Sequence, residues 1–478
     1  MFFLPEVLTL GSARVRYEHN LAAIRIIRAL DQEGRAATPE EAHQLALYSG
    51  WGSSEVLKHA RKLVTRPNYW GGAPTVEPGH EPNEDMAALL SAAEWSGLLD
   101  STPNAHYTSL PVIRAIWEGI RRTGVVREGC RMLEPACGVG HFLGACPADL
   151  RQHIKATLIE LDPITSRIAR VLYPEASVTQ ADFAACFRDR YGKRDGSKFD
   201  LTISNVPFGK IQMSDPGMPL KAQRNSIHNY FVSRMLELTR PGGLCVAITS
   251  RFSLDGRVDA KLCRQIWSQQ ADLVLACRLP DSAFRENAGT DVVTDILFFR
   301  KRLEGDSIQD SSWTDVDELV ERAGVFVLRS TATVGIPYQD PITIRSHYYT
   351  VHPDNVLGVE NATGKMYARD DNRDYQLIDA PDSHMSNASR EARDLRYNER
   401  HASASYNVQP FPASSLTSLL NRVFMQIPEF PQVKGLESSY VAGAPLISEL
   451  TYSPDTPDQH RLWAIYQRAK AVIQLQIQ

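Results

Sequence analysis

From about residue 100 to about 303 the chain alternates strand-like and helix-like stretches, and no other feature restricts its fold so tightly. SLPVIRAIWEGIRRTG places Ile113, Ile116, Trp117 and Ile120 on one helical face. RMLEPACGVGHFL reads as strand, glycine turn and helix, KATLIELDP as a strand, and ITSRIARVLYP as a helix. SVTQADF and FDLTISNVPF are further strands. SIHNYFVSRMLEL gathers Ile227, Tyr230, Phe231, Met235 and Leu238 on one face, and the turn Pro241-Gly242-Gly243 leads into LCVAITS. ADLVLACRLP and DVVTDILFFRK close the series. Such alternation predicts a doubly wound α/β sheet, whose ligands bind at the carboxyl ends of the strands.

At 478 residues the chain exceeds one ordinary core, so three regions are expected: 1–100 helical, 101–303 α/β, and 304–478 a mixed accessory region for target recognition or partner docking. In ATPEEAHQLALYSGWG, Thr38 can cap, Pro39 suits the first helical position, Glu41 completes a capping box, and Gly50 ends the run. NYWGGAPTVEPGHEPNED reads as a loop. Beyond 304 the fragments GVFVLRST and ITIRSHYYTV are β-like. SHMSNASREARDLRYNERHASASYN reads as a polar linker, and QHRLWAIYQRAKAVIQLQ as an amphipathic helix.

Hydrophobic content of 43% and charged content of 23% are those of a folded soluble protein. A net charge of -4 argues against a polycation but leaves room for a local basic groove. Seven cysteines form no CxxC pair and read as reduced, buried residues of a cytoplasmic protein, with no zinc site expected. The apolar start MFFLPEVLTLGSARVRYEHN lacks a basic n-region, so no signal peptide is expected, and no run is long and apolar enough to span a bilayer.

Three successive strand ends carry chemistry. After Glu134, Gly138 and Gly140 form a turn in which the backbone can approach a ligand closely. Such turns are common on structural grounds alone, GVG lacks the third glycine of a dinucleotide fingerprint, and GxxxxGK[ST] is absent, which argues against an NTP-driven motor. Glu160 ends the next strand about twenty residues on, where an acid accepts hydrogen bonds from ribose hydroxyls. Asp182 and Phe183 offer a carboxylate for an exocyclic amine and a ring for a purine. Each alone is most simply a surface acid or a core ring; together they describe a pocket for adenosine without phosphates, as in S-adenosylmethionine. Asn205-Val206-Pro207-Phe208 then ends the fourth strand. Asn205 and the Val206 carbonyl would bind an amine's two hydrogens, Pro207 would set the turn, and Phe208 would stack on a base turned out of its helix.

This order of motifs, with AHYTS, LEPACGVG, IELDP, ADF, NVPF and PGG, resembles the N6-adenine DNA methyltransferases, in particular a phage and plasmid group in which a methyltransferase precedes a helicase. GWG near 50, SIHNYF and NAGTDVVTDILF extend the resemblance from about residue 20 to about 370. It implies a Rossmann-like methyltransferase sheet, S-adenosyl-L-methionine as cofactor, no metal, and double-stranded DNA as partner. It also implies a cofactor set of Tyr107, Thr108, Glu134, Ala136, Gly138, Gly140, Phe142, Glu160, Asp182, Phe183 and Asn205. Val206 stands where proline is commoner, and the helicase part is not in this chain, so a separate helicase or other subunit is an expected partner. The phosphate contacts expected are RFSLDGR, Arg300-Lys301-Arg302 and the arginines of SREARDLRYNERH. Cytosine N4 and a protein glutamine amide pose the same amine problem. The rival of another class is a cofactor- or DNA-binding structural subunit with little turnover.

Overall fold

Burial of apolar stripes builds the N-terminal helices. The first, α1 (Ala13–Glu33), buries Leu21, Ile24, Ile27 and Leu30, is capped by Ser12, and is closed by Gly34 at φ 65°. In α2 (Pro39–Ala46) the capping box of Thr38 and Glu41 is present, with Pro39 in the first turn. This helix stops at Ala46, so Gly50 belongs to the following loop, at φ 65°. After α3 (Ser54–Ala60) the chain departs from the helical expectation. Strands β1 (Arg61–Arg66) and β2 (Thr75–Pro82) form an antiparallel pair, so the second half of the presumptive Pro/Gly loop is a strand. Its pairing partner lies in sequence that carries no alternation, which is why periodicity missed it. Helices α4 (Glu84–Leu89) and α5 (Ala92–Ser101) follow. The structure is a computed structural model and describes residues 2–6, 8, 10–66, 75–101, 107–188, 194–209, 211–218, 220–284, 292–322, 325–328, 342–361, 406–412 and 414–430. The amphipathic segment at 459–476 and most of the polar linker lie outside these residues.

Helix α6 (Leu110–Thr123) leads into a seven-stranded sheet. Its strands are β3 (Cys130–Pro135), β4 (Ile154–Glu160), β5 (Ser177–Gln180), β6 (Phe199–Asn205), β7 (Thr239–Ser250), β8 (Ala271–Arg278) and β9 (Thr294–Lys301), in the order β5-β4-β3-β6-β7-β9-β8. The first five are parallel, and β9 runs antiparallel to both of its neighbours. The crossovers contain α7 (His141–Gly144), α8 (Ala148–Arg151), α9 (Pro163–Leu172), α10 (Lys221–Arg224), α11 (Ile227–Leu238), α12 (Phe252–Asp255) and α13 (Asp259–Gln270). Helices on both faces explain why β6 and β7 are buried along most of their length, polar positions such as Thr202 and Ser204 included. Pro241-Gly242-Gly243 does not precede β7 but lies inside it, at a register shift. A Cβ on Gly243 would stand 2.8 Å from the Asp200 carbonyl oxygen.

The order reverses between β3 and β6, so their carboxyl ends flank the switch-point crevice. Ser204 Oγ, near the end of β6, donates to the Pro135 carbonyl at 2.5 Å and holds the two ends together.

The β-like fragments after 304 form a second, five-stranded antiparallel sheet: β10 (Val316–Arg322), β11 (Val325–Leu328), β12 (Ile342–Ser346), β13 (Gly358–Asn361) and β14 (Asn407–Pro410). Its Leu319, Tyr348 and Tyr406 pack in one apolar cluster with Met235, Trp267 and Leu297 of the first sheet's layers, so the cluster crosses residue 304. The helix Leu416–Phe424, which the sequence reading did not separate, packs on α6 and sets its Phe424 ring edge-on to Phe298 of β9. Gly119 leaves room there for Ile427.

A buried charge network joins the sheets. Arg278 donates to Asp295 at 2.8 and 2.9 Å, to Asp255 at 2.8 Å and to the Tyr406 hydroxyl at 2.9 Å. Arg251 donates to Asp255 at 2.9 Å, and Asp255 also accepts from Ser346 N at 2.8 Å. Removing one partner leaves an uncompensated buried charge. Arg278→Ala is expected to cost roughly 3–5 kcal/mol in urea unfolding of the full chain. A cost below about 1 kcal/mol, the scale of a surface pair, would contradict this account.

Candidate active site

A cleft of about 210 Å³ opens at the carboxyl edge of the parallel strands. From the end of β3 it receives Glu134, which is fully buried, and whose Oε2 has no hydrogen-bond partner among the described residues. Burial pushes this carboxyl well above the ordinary range, and the charge of Glu160 adds to the effect. Ala136, Gly138 and Gly140 then take φ of 59°, 56° and 82°. Ala136 and Gly138 line the cleft, and a Cβ on Gly138 would meet the Tyr107 ring at 3.3 Å. Gly140 does not line it. Its missing Cβ makes room for Tyr173, which one would approach to 2.5 Å, so this glycine serves helix packing.

Glu160, at the end of β4, accepts from Gly138 N at 2.8 Å through one oxygen and from Asp162 N at 2.9 Å through the other. The carboxylate thus bridges two strand-end turns. Burial pushes it up to about 7, against the pull of these amides. Asp162 caps α9, accepting from Thr165 N at 2.7 Å and Thr165 Oγ1 at 2.6 Å. After β5, Asp182 accepts from Ala184 N at 2.9 Å, and the buried Phe183 ring lies 5.0 Å from Phe231.

Asn205 ends β6 on the cleft wall and donates Nδ2 to Thr108 Oγ1 at 3.0 Å. Pro207 lines the cleft beside it. Val206 does not: its side chain is buried in the core, and its N–H donates to Ile248 O at 3.0 Å. Phe208 is half-buried between the two apolar clusters, outside the lining. Tyr107 and Phe142 line the cleft, with Tyr107 edge-on to His141 at 5.4 Å.

Part of the wall escaped sequence reasoning. Tyr48, Gly50 and Trp51 come from the N-terminal region. Trp51 Nε1 donates to the Tyr48 hydroxyl at 3.0 Å, which is hydrogen-bonded in turn to Thr165. Buried Asn20 holds this loop, donating to Gly50 O at 2.6 Å and accepting from Ser49 N at 2.9 Å. His141, driven down to about 4 by burial, is neutral and donates Nε2–H to Ala46 O at 3.1 Å. The signal for Tyr48–Trp51 was the GWG motif itself; the Asp-Pro pair at 162–163 was a readable helix start.

The lining contains four carboxyl groups, Glu134, Glu160, Asp162 and Asp182, and no lysine or arginine among the described residues. Such a cleft offers a phosphate no cationic counter-charge and offers a cation carboxyl oxygens. The expected phosphate contacts are partly overturned. Arg251 is fully buried in the network above, Arg302 is buried on Asp272 at 2.6 Å, and Lys301 bonds Leu236 O and Gln270. Charge in sequence did not reveal that these side chains point inward. Arg257 and Arg300 pair with Glu318 and Asp306 at 3.3 and 3.7 Å, and the arginines of 390–400 lie outside the described residues.

The parallel strands, with β9 inserted antiparallel between β7 and β8, form the Rossmann-like α/β sheet that the alternation of strands and helices predicts. No protein-family model matches the chain. Over 218 residues it is 27% identical to the defense against restriction protein B of Escherichia phage P1; the match covers 46% of this chain and 9% of that protein's length. It is similar to a putative class I S-adenosylmethionine-dependent methyltransferase from Listeria monocytogenes, at 14% identity and TM-score 0.36, over 62% of this chain and 94% of that one. It is similar also to a modification subunit of a putative type I restriction enzyme from Vibrio vulnificus YJ016, at 15% identity and TM-score 0.35, over 60% and 75% of the two chains.

The raised carboxyl of Glu160 has a pH consequence. Its folded value lies above its free value, so its stabilising contribution is present below about 4.5 and lost as pH rises through about 7. Between pH 5 and 8 the stability difference between wild type and Glu160→Gln should move by roughly 2.5 kcal/mol toward the variant. Urea unfolding across that range measures it; parallel curves would mean that Glu160 titrates as an ordinary surface acid.

Proposed function

We propose that this protein is a DNA methyltransferase that transfers a methyl group from S-adenosylmethionine to the N6 amine of adenine. The observation that carries the proposal is the placement of Asn205 and Pro207 at one end of a cleft lined by acidic and aromatic residues and by no cationic one. S-adenosylmethionine is cationic at sulfur and at its amino group and bears no phosphate, so its charge suits this lining where a nucleotide's does not.

In this reading Glu160 receives the ribose hydroxyls, Asp182 and Phe183 the adenine, and Gly138 passes beneath the methionine end, with Tyr107 and Thr108 against it. Glu134 and Ala136 belong to the same end, and Phe142 closes it. Gly140 acts indirectly, through Tyr173. In this reading Asn205 Nδ2 keeps its bond to Thr108 and the carboxamide oxygen is turned to the substrate. That oxygen and the Val206 carbonyl would each accept a hydrogen of the adenine amine, drawing its lone pair out of the ring. The lone pair attacks the methyl carbon in line as the C–S bond breaks. Neutral S-adenosylhomocysteine leaves, and the methylated amine sheds its extra proton to solvent. Phe208 would move against the extruded base from its half-buried site. The phage relative's name speaks of defense against restriction, and a methylated amine in a recognition site blocks cleavage by many restriction enzymes. We assign the activity to that setting, with double-stranded DNA as substrate and a separate motor or recognition subunit as partner.

The test is methyl transfer from labelled S-adenosylmethionine to unmethylated phage and genomic DNA, followed by digestion to nucleosides. Label is expected in N6-methyladenine. Asn205→Ala should reduce the rate at saturating cofactor by at least about a hundredfold, the scale of one transition-state acceptor. Label in N4-methylcytosine would keep the mechanism and change the base. Cofactor binding without transfer to any DNA would overturn the enzymatic reading in favour of a structural subunit.

A further inference from the structure

The segment after Phe208 turns back over the cleft, and one carboxylate holds it there. Asp215 is fully buried, and four donors converge on it: Gly217 N at 2.8 Å, the Tyr230 hydroxyl at 2.7 Å, Arg194 Nη2 at 3.0 Å, and Arg188 Nη2. Burial alone would raise its carboxyl, but the Tyr230 hydroxyl and the Arg194 guanidinium hold it below the ordinary aspartate range, so it stays ionised. The donors arrive from separate elements. Arg188 belongs to the segment that begins at Asp182, and its Nε donates to Ala184 O at 3.0 Å. Tyr230 belongs to α11, whose Ile227 and Phe231 line the cleft. Two residues before Asp215, Met213 lines the cleft as well, and its N–H donates to Arg224 O at 2.8 Å. Packing at this knot is close: a Cβ on Gly217 would stand 2.6 Å from the Arg194 guanidinium carbon.

We infer that Asp215 is a positioning residue for the adenine end of the cofactor cleft, locking residues 211–218 to the Asp182–Arg188 segment and to α11 so that Met213 is a fixed wall against the purine. The inference rests on the reading of this cleft as an S-adenosylmethionine site. A mere fold strut would lower stability without changing which purines are accepted; a fixed wall determines how large a purine substituent fits.

The experiment is calorimetric titration of the full chain with S-adenosylhomocysteine and with its N6-benzyl derivative, using wild type, Asp215→Asn and Tyr230→Phe. The wild type should reject the benzyl derivative by about a hundredfold or more, as a rigid pocket excludes added bulk. Asp215→Asn should weaken the parent ligand about tenfold and narrow the discrimination to below roughly tenfold. Tyr230→Phe should narrow it less, in the same direction, with its thermal midpoint near that of the wild type, and it decides the matter if Asp215→Asn does not fold. An unchanged ratio in a folded variant overturns the inference and leaves the cofactor site standing, as does a wild type that accepts both ligands equally. A folded wild type that binds neither ligand overturns the cofactor reading, and this inference with it.

Discussion

Two guanidinium groups buried with two carboxylates hold the molecule's halves in register. Arg251 and Arg278 are completely excluded from solvent, as are Asp255 and Asp295. Desolvating such charges costs several kcal/mol each, so the set is tolerable only because each guanidinium is paired with a carboxylate. Arg251 also lies 4.4 Å over the Tyr406 ring, and Arg278 4.5 Å over Tyr349. An apolar contact between two sheets tolerates sliding; directed bonds from β8 to β9, to Tyr406 at the start of β14, and through Asp255 to Ser346 at the end of β12 do not. The accessory sheet is therefore fixed against the β7–β9–β8 edge, on the far side of the sheet order from β5.

The cleft shows the same reliance on carboxylates, put to a different end. Glu160 ties two turns together through backbone amides alone, and Glu134 sits near it in a desolvated wall. Two acids so placed resist ionising together. A cation brought beside them would favour their charged forms, whereas a phosphate would oppose it.

Much of this was legible in the chain because the informative residues fall at strand ends, where period and motif change together. Glu134, Gly138, Glu160, Asp182, Phe183, Asn205 and Pro207 were each singled out from such a boundary, and all line one cleft. Gly140, Val206 and Phe208 stand next to it. A motif identifies a turn, but which neighbour of a turn faces inward is a matter of packing, as Tyr173 behind Gly140 demonstrates. The β1–β2 pair and the second sheet were obscure because their strands are short or only partly apolar and gain their stability from partners distant in sequence. Charge misled for Arg251 and Arg302: a lone arginine in a sequence looks solvated until its carboxylate is found 4 residues away in one case and 30 in the other.

The N-terminal wall of the cleft also orders events during synthesis. Tyr48 can bond Thr165 only after α9 exists, and the bond between His141 and Ala46 spans 95 residues. The chain made first must remain undocked while the next hundred or so residues emerge. A loop of that size closes at an entropic cost that grows only slowly with its length, so the delay is kinetic rather than energetic. During that interval α1 has α2, α3 and α4 to pack on and Trp51 has Tyr17 and Tyr48, but the side of the region that meets α9 has no partner. The cleft is consequently incomplete until its last lining residues, Ile227 and Phe231, have emerged, and until then its N-terminal wall is exposed to association with other chains.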